Sequence, residues 1–166
     1  MKEYLVTEIF NERINIKYNM LNTTNINDII YKILNKKLGN KCYKDGFIFK
    51  NNIKLISKTL GNIETNIIYN IKFSAESLKI SINDTIDCYI DNINKMGIIA
   101  YIKLKDILNN YDETNTILES PLIIIIPTEN IDDIKKYNIN QTIKINVNAF
   151  RIKYNSDKIQ IVGKII

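Results

Sequence analysis

The stretches Ile86-Asp87-Cys88-Tyr89-Ile90 and Ile98-Ile99-Ala100-Tyr101-Ile102-Lys103-Leu104 alternate apolar residues with other residues. Such alternation is typical of a strand with one buried face. The pattern predicts a hairpin folded about Lys95, with Met96 and Gly97 in the turn. The inward pairs are then Ile86–Leu104, Cys88–Ile102 and Ile90–Ala100, and the outward pairs are Asp87–Lys103 and Tyr89–Tyr101. Cross-strand pairs of matching chemistry stabilise sheets, so this single register predicts the hairpin.

Further extended segments follow this hairpin. Leu122 to Ile126 is an apolar run between two prolines, residues 143–149 alternate, and Ile159 and Ile161 begin a last strand. Residues 131–137 suit a short helix between the third and fourth strands. Five strands with a short helix at this point predict an OB-fold β-barrel over residues 81–166.

The chain before residue 81 has a different pattern, with one clear helix. Its apolar stripe comprises Ile26, Ile29, Ile30, Ile33, Leu34 and Leu38. Asn25 is an N-cap residue, and Gly39 is expected to end the helix in a left-handed conformation. Extended segments are predicted at residues 4–10, 13–17, 47–49, 53–59 and 67–77. Residues 1–80 therefore predict one helix on an antiparallel, RNP-like sheet, and the whole chain predicts an α+β fold.

The composition argues against several kinds of active site. The chain has 166 residues, no His, a net charge of +5 and only two cysteines, Cys42 and Cys88, which are far apart. Without His there is no Ser-His-Asp triad, Cys-His pair or imidazole metal ligand. Asp132 and Asp133 are adjacent in the predicted short helix, where neighbouring side chains point apart. We expect no catalytic residue, no metal and no cofactor.

The charge and the hydropathy pattern bear on partners and compartment. A mild positive excess favours polyanion partners, although a solvated basic surface explains it equally well. The longest apolar run, Leu122 to Ile126, is far shorter than the ~20 residues that span a bilayer. The first residues lack the basic-then-apolar layout of a signal peptide. We expect no membrane partner and a soluble protein in a reducing compartment.

An ordered series of short segments resembles a known family. The segments are Gly39 to Ile48, Leu60 to Ile63, Ile71 to Ala75, and Thr85 to Ala100 with Gly97 at its turn. Together they resemble the seventh subunit of eukaryotic RNA polymerase II and the corresponding subunit of archaeal RNA polymerase.

The series also departs from that family. Residues 79–84 replace a Pro-x-x-Gly-Glu stretch, a proline expected near Tyr18 is missing, and the glycine loop keeps only Gly61. With the skew toward Ile, Asn and Lys, this divergence resembles a version from a large DNA virus.

The resemblance implies a non-catalytic stalk subunit of a DNA-directed RNA polymerase. Its tip domain would dock on the large polymerase subunits near the clamp, beside a small helical partner subunit. Its barrel would contact nascent single-stranded RNA. The implied docking residues are Gly61, Asn62, Ile63, Glu64 and Thr65. The implied location is the virion and host-cell cytoplasm for a viral protein, or the nucleus for a cellular one.

A physical argument for RNA stands beside the resemblance. OB barrels bind single strands by stacking bases on aromatic side chains and contacting phosphates with cations. The candidate residues are Tyr89, Tyr101, Lys103, Lys105, Arg151 and Lys153. An ordinary solvated sheet face is the alternative for each. Two other functions stay open: a free-standing OB-fold factor in translation or RNA processing, and a metal-dependent nuclease.

Overall fold

The computed structural model describes residues 4–21, 25–108 and 116–166. These residues form two compact units. The barrel unit comprises residues 4–5, 41–47 and 78–166, and the helix-and-sheet unit comprises residues 6–40 and 48–77. Two short N-terminal segments thus belong to the same unit as the C-terminal half of the chain. The domain boundary between residues 80 and 81 stays a prediction.

The helix of the second unit, α1, spans Ile26–Leu38 as its apolar stripe predicts. The Asn25 Oδ1 caps it by accepting the Asn27 N–H at 3.0 Å. The prediction for its end is wrong, because Gly39 has φ −66° and Asn40 takes the left-handed conformation with φ 55°. Glycine is still required at position 39, since an added Cβ would lie 2.5 Å from the Asn35 carbonyl oxygen.

The sheet beside this helix contains longer strands than the sequence predicts. Its strands are β1 (Leu5–Ile16), β2 (Lys41–Tyr43), β3 (Gly46–Lys58), β4 (Asn62–Ile63) and β5 (Ile67–Leu78). Their order is β1-β5-β3-β2, and β4 pairs with β5. β1 unites two predicted segments, and β3 unites another two. The helix face of this sheet buries Phe10 against Phe73, with ring centroids 5.4 Å apart.

Five further strands close into a barrel. They are β6 (Thr85–Asn94), β7 (Gly97–Tyr101), β8 (Leu122–Pro127), β9 (Thr142–Arg151) and β10 (Ile159–Ile165). The order around the barrel is β10-β8-β7-β6-β9, and β8 pairs with β10 in parallel while the other neighbours are antiparallel. The predicted inward residues of β6, β7 and β9 fill its interior, except Ala149, which is exposed because the register with β10 shifts between Val147 and Ala149. Fully buried residues of the five strands include Ile86, Cys88, Ile90, Ile98, Ala100, Ile124, Ile126, Ile145, Val147 and Ile161.

The predicted hairpin register is confirmed at its centre, where Tyr89 lies opposite Tyr101 and Ile90 opposite Ala100. Beyond Ile90 a β-bulge shifts the pairing, so that Asn94 lies opposite Gly97. The turn consequently consists of Lys95 and Met96, and Gly97 begins β7. An extra residue of this kind raises the local strand twist that a small barrel needs.

The outer part of the predicted register is wrong. β7 ends at Tyr101, so Ile102, Lys103 and Leu104 pair with no residue of β6. On its other edge this part of β6 pairs with β9, where Asp87 lies opposite Lys144, with 3.7 Å between carboxylate and ammonium. Ile86 and Cys88 still point inward, since a change of partner leaves the alternation of a strand intact.

The predicted short helix at residues 131–137 is also replaced. Two single 3₁₀ turns, Thr128–Asn130 and Ile134–Lys136, occupy the connection between β8 and β9. The Asp133 carboxylate accepts the Lys135 N–H at 3.1 Å, a local bond that competes with helix formation.

The barrel closes with a large stagger between its strands. Paired residues lead from Ile90 through Ala100, Ile124 and Ile161 to Phe150 on β9. In the other direction the Ile90 N–H donates directly to the carbonyl of Gln141, just before β9. Gln141 and Phe150 are nine residues apart in the chain. Such a stagger tilts the strands and decides which exterior residues become neighbours.

Candidate nucleic-acid interface

An aromatic and cationic cluster lies where β6 and β7 pair. The Lys103 Nζ sits 4.2 Å from the centroid of the Tyr89 ring, within the range of a cation–π interaction. The Tyr89 and Tyr101 rings are 6.0 Å apart at their centroids and tilted by 39°. The two tyrosines lie on β6 and β7. Because β7 ends at Tyr101, Lys103 lies outside the sheet, and its side chain extends over the Tyr89 ring.

A short 3₁₀ turn, Leu104–Asp106, carries the remaining charges of this cluster. Burial, with the nearby Asp106 carboxylate, raises the pKa of Tyr89, and the positive charge of Lys105 opposes that shift. The phenol therefore stays neutral at physiological pH. Lys103 and Lys105 give the cluster its positive charge, and Asp106 offsets part of it.

Tyr101 is not presented for stacking. Its side chain is only 7% exposed, whereas the Tyr89 side chain is partly exposed. Burial, together with the Asp91 charge, raises the pKa of Tyr101. Of the expected outward pair of rings, only Tyr89 is thus partly exposed, and Tyr101 lies beside it.

Arg151 and Lys153 lie far from this cluster. Both are exposed, and Arg151 pairs with Gln160, which in turn pairs with Ile123. Because of the stagger, Arg151 is separated from Tyr89 by four strand spacings, or roughly 19 Å along the barrel surface. The structure therefore brings together Tyr89, Tyr101, Lys103 and Lys105. Arg151 and Lys153 form a separate pair of exposed cations. One bound nucleotide cannot contact both groups.

The implied docking residues form an ordered loop in the helix-and-sheet unit. Asn62 and Ile63 make the short strand β4, opposite Ile68 and Ile67 of β5. The Tyr18 hydroxyl donates to the Glu64 carbonyl at 3.0 Å, which holds the loop against the chain after β1. Gly61 is required by space, because an added Cβ would lie 2.6 Å from the Ile67 side chain.

This loop exposes two large apolar side chains. Leu60 is 91% exposed and Ile63 is 76% exposed. Ile63 was among the implied docking residues, and Leu60 was missed because the resemblance begins its loop at Gly61. The sequence does contain a feature that indicates an exposed Leu60. This leucine stands between the polar residues at the end of β3 and Gly61, outside any alternating apolar pattern.

The sequence also failed to reveal an apolar row outside the barrel. Ile99, Ile125, Val162 and Ala149 are successive partners across four strands and face outward. A shallow cleft of about 150 Å³ adjoins this row beside Met96. The available signal was the run from Leu122 to Ile126, which places apolar residues on both faces of β8. We expected only a buried strand there.

No protein-family model and no curated protein matches this chain.

Two general features of the described residues bear on chemistry. Within residues 4–21, 25–108 and 116–166, no three His, Cys, Asp or Glu side chains form a group that could hold a metal ion. In the same ranges, no helix is both long and apolar enough to cross a membrane. The barrel cluster itself consists of one partly exposed aromatic ring, the buried Tyr101 beside it and two ammonium groups.

Proposed function

We propose that this chain is a non-catalytic stalk subunit of a DNA-directed RNA polymerase, with an OB-fold barrel that contacts nascent single-stranded RNA. The observation that carries the proposal is the connectivity of the barrel. β6, β7 and β8 follow one another as antiparallel neighbours, and β9 and β10 return so that β10 closes in parallel against β8. Five strands in this order correspond to the Greek-key OB barrel, a common fold for oligonucleotide binding.

The cluster on the barrel supports the RNA part of the proposal. Tyr89 with Lys103 combines a stacking surface and a cation, which is the usual pairing for sequence-tolerant binding of single strands. One stacked base contributes about 1–3 kcal/mol, and each phosphate contact weakens as salt rises. Because Arg151 and Lys153 are remote from Tyr89, only an oligonucleotide long enough to follow the barrel surface reaches both. The resulting affinity is modest, which suits a transcript that must slide during elongation.

The loop of residues 61–65 supports the docking part. Its backbone is anchored by Tyr18, and Leu60 and Ile63 project from it into solvent. Exposed apolar side chains on an ordered loop are suited to burial against a protein partner. The large polymerase subunits are the proposed partner, with a small helical subunit beside them.

Affinity purification from the native source tests the proposal. A tagged chain should recover the large polymerase subunits at fixed stoichiometry. A Leu60→Asp, Ile63→Asp double variant should lose the polymerase and keep its affinity for oligouridine, because both residues lie outside the barrel unit. Recovery of the native chain alone, or with ribosomes, would favour the second candidate, a free-standing OB-fold factor in translation or RNA processing. One observation favours that candidate. The residues of the Tyr89 cluster all belong to the barrel unit, so RNA binding there needs no polymerase subunit.

A further inference from the structure

A polar cleft lies on the sheet of the helix-and-sheet unit and belongs to neither proposed site. It has a volume of about 500 Å³ and is lined by strands β1, β5 and β3. Its lining includes three cations, two amides and two hydroxyl groups: Arg13, Lys58, Lys72, Asn11, Asn70, Ser57 and Thr59. Ligand pockets usually measure about 300–1,000 Å³, so this cleft is large enough for a molecule of nucleotide size.

Two of these cations, Arg13 and Lys72, point away from the apolar core. The third, Lys58, donates its Nζ to the Asn27 Oδ1 at 2.6 Å. Arg13 and Lys72 are exposed, while their chain neighbours Ile14 and Ile71 are buried. Successive side chains of a strand face opposite sides, so both cations lie on the solvent face of the sheet. Glu12 also lines the cleft, but its carboxylate is 2.6 Å from the Lys37 ammonium on α1. Its negative charge is therefore already compensated.

Both cations are open to an anionic ligand. Among the residues that the structure describes, Lys72 has no ion-pair partner within 4.0 Å. Arg13 has a loose one, the Glu64 carboxylate at 4.0 Å, and their side chains are 66% and 61% exposed. An exposed pair at this distance contributes little, so a phosphate group can displace Glu64 from Arg13 at small cost.

The polar surface continues beyond the main cleft. A second, smaller cleft of about 170 Å³ lies on the same three strands and includes Thr7, Lys54 and Ser74. Its one carboxylate, on Glu76, already accepts a hydrogen bond from the Asn52 amide at 2.6 Å. The two clefts together offer hydroxyl, amide and cationic groups, and none of the described residues that line them is aromatic.

We propose that this cleft binds the sugar–phosphate part of a ribonucleotide, with Arg13 and Lys72 on the phosphate and the amide and hydroxyl groups on the ribose. Arg13 offers a planar fork that matches two phosphate oxygens, and Lys72 adds a point charge. Asn and Ser side chains both donate and accept, as ribose hydroxyls require. Without an aromatic platform, recognition is independent of the base. The ligand is a free nucleotide or one nucleotide of an RNA strand, and the inference does not rest on the proposed polymerase role.

Equilibrium titrations of the full chain at low salt test this site, with ATP and 5′-phosphorylated oligouridine as probes. The Arg13→Gln, Lys72→Gln double variant should weaken binding of at least one probe by about tenfold or more. The matched control is Lys32→Gln, Lys36→Gln, which removes the same charge from exposed positions of α1. Loss for ATP identifies a free nucleotide as a ligand, and loss for oligouridine alone identifies an RNA strand.

A third variant gives the test a predicted gain. Glu64→Gln should strengthen binding, since it removes the anion that faces Arg13. Both titrations are repeated in a chain in which Lys103 and Lys105 are Gln, which reports on the barrel cluster independently. The inference is overturned if neither probe binds that barrel variant, or if the Arg13, Lys72 variant binds both probes as the α1 control does.

Discussion

Tyr89 and Tyr101 occupy facing positions on β6 and β7, yet they have different surroundings. Tyr101 is buried, whereas Tyr89 is partly exposed and has the Lys103 ammonium over its ring. A residue can stack on a base only through an exposed face, so facing positions in one register need not share a function.

Substitution of each tyrosine distinguishes their roles. Tyr89→Leu should weaken binding of oligouridine by about 1–3 kcal/mol, because the stacking face is lost while an apolar side chain remains. Tyr101→Phe keeps the buried ring and should leave the affinity unchanged. Fluorescence anisotropy of a labelled oligouridine measures both. Equal losses in the two variants would contradict the assignment of Tyr89 as the contact residue.

The two cysteines are buried thiols with strongly altered ionisation. Burial raises the pKa of Cys42 from 9.0 to about 11 and that of Cys88 from 9.0 to about 12, with smaller contributions from Asp157 and Asp87. In the unfolded chain both thiols ionise near 9.0. Between pH 9 and pH 11 the folded chain therefore holds more protons than the unfolded chain.

This difference predicts alkaline destabilisation. The free energy of unfolding should fall as pH rises above 9, by at most about 1.4 kcal/mol per pH unit for each thiol. Urea unfolding at several pH values measures the slope, and a Cys42→Ala, Cys88→Ala variant should show a shallower one. The native thiols should also resist alkylation at pH 8. An identical slope in the variant would mean that other groups cause the effect.

At the scale of elements, one lysine joins two connections of the barrel unit. Lys158, just before β10, donates its Nζ to the carbonyl oxygens of Ile117, Leu118 at 3.0 Å and Ser120 at 2.9 Å. Burial removes the Lys158 ammonium partly from water and thereby lowers the pKa of this side chain. These bonds hold residues 117–120, which precede β8, against the turn between β9 and β10.

Removal of this ammonium should loosen that connection. Lys158→Met keeps a long apolar side chain but leaves the carbonyl groups of residues 117, 118 and 120 without their donor, and we expect a loss of about 2 kcal/mol in unfolding free energy. Cleavage of residues 116–121 by a nonspecific protease should become faster. Lys164→Met, at an exposed position of β10, serves as the control and should change neither measurement.

At the scale of the molecule, the barrel unit draws on residues far from it in sequence. The Cys42 N–H donates to the Ser156 carbonyl at 2.7 Å, and the Asn155 N–H donates to the Cys42 carbonyl at 2.8 Å. The Tyr4 hydroxyl donates to the Thr85 carbonyl at 2.8 Å, and the Lys79 ammonium pairs with Asp45 at 2.9 Å. A fragment cut at the predicted boundary lacks every one of these partners.

The fragment of residues 81–166 should consequently unfold at a lower urea concentration than the same barrel in the full chain. The fragment loses the hydrogen-bond partners of Ser156 and Asn155 and exposes apolar surface. Its free energy of unfolding should fall by about 1 kcal/mol for each lost hydrogen bond. Amide exchange at Asn155 locates the effect, because its N–H donates to the Cys42 carbonyl that the fragment lacks. A fragment with an unchanged midpoint would show that residues 4–5, 41–47 and 78–80 contribute nothing to the barrel.

The local sequence determined which segments form elements and which side chains face inward. The alternation of β6, β7 and β9 and the apolar stripe of α1 predict their buried residues, because the side-chain period of an element does not depend on its partners. The exception is Ala149 of β9, which lies beyond a register shift and is exposed. The centre of the β6–β7 hairpin was also predictable, since only a short turn separates the two strands. Of the candidate site, the proximity of Tyr89, Tyr101 and Lys103 follows from that local pairing.

Only the tertiary structure decided which elements are neighbours and which surfaces remain exposed. The second partner of β6 is β9, about 50 residues further along the chain, and no local pattern identifies a contact at that distance. The stagger of the closed barrel separates Arg151 from Tyr89, and packing buries Tyr101. Likewise the cleft of Arg13 and Lys72 exists because β1, β5 and β3, distant in sequence, lie side by side. The periodicity with which side chains face the core is a property of each segment. Proximity and exposure, by contrast, are properties of the folded chain as a whole.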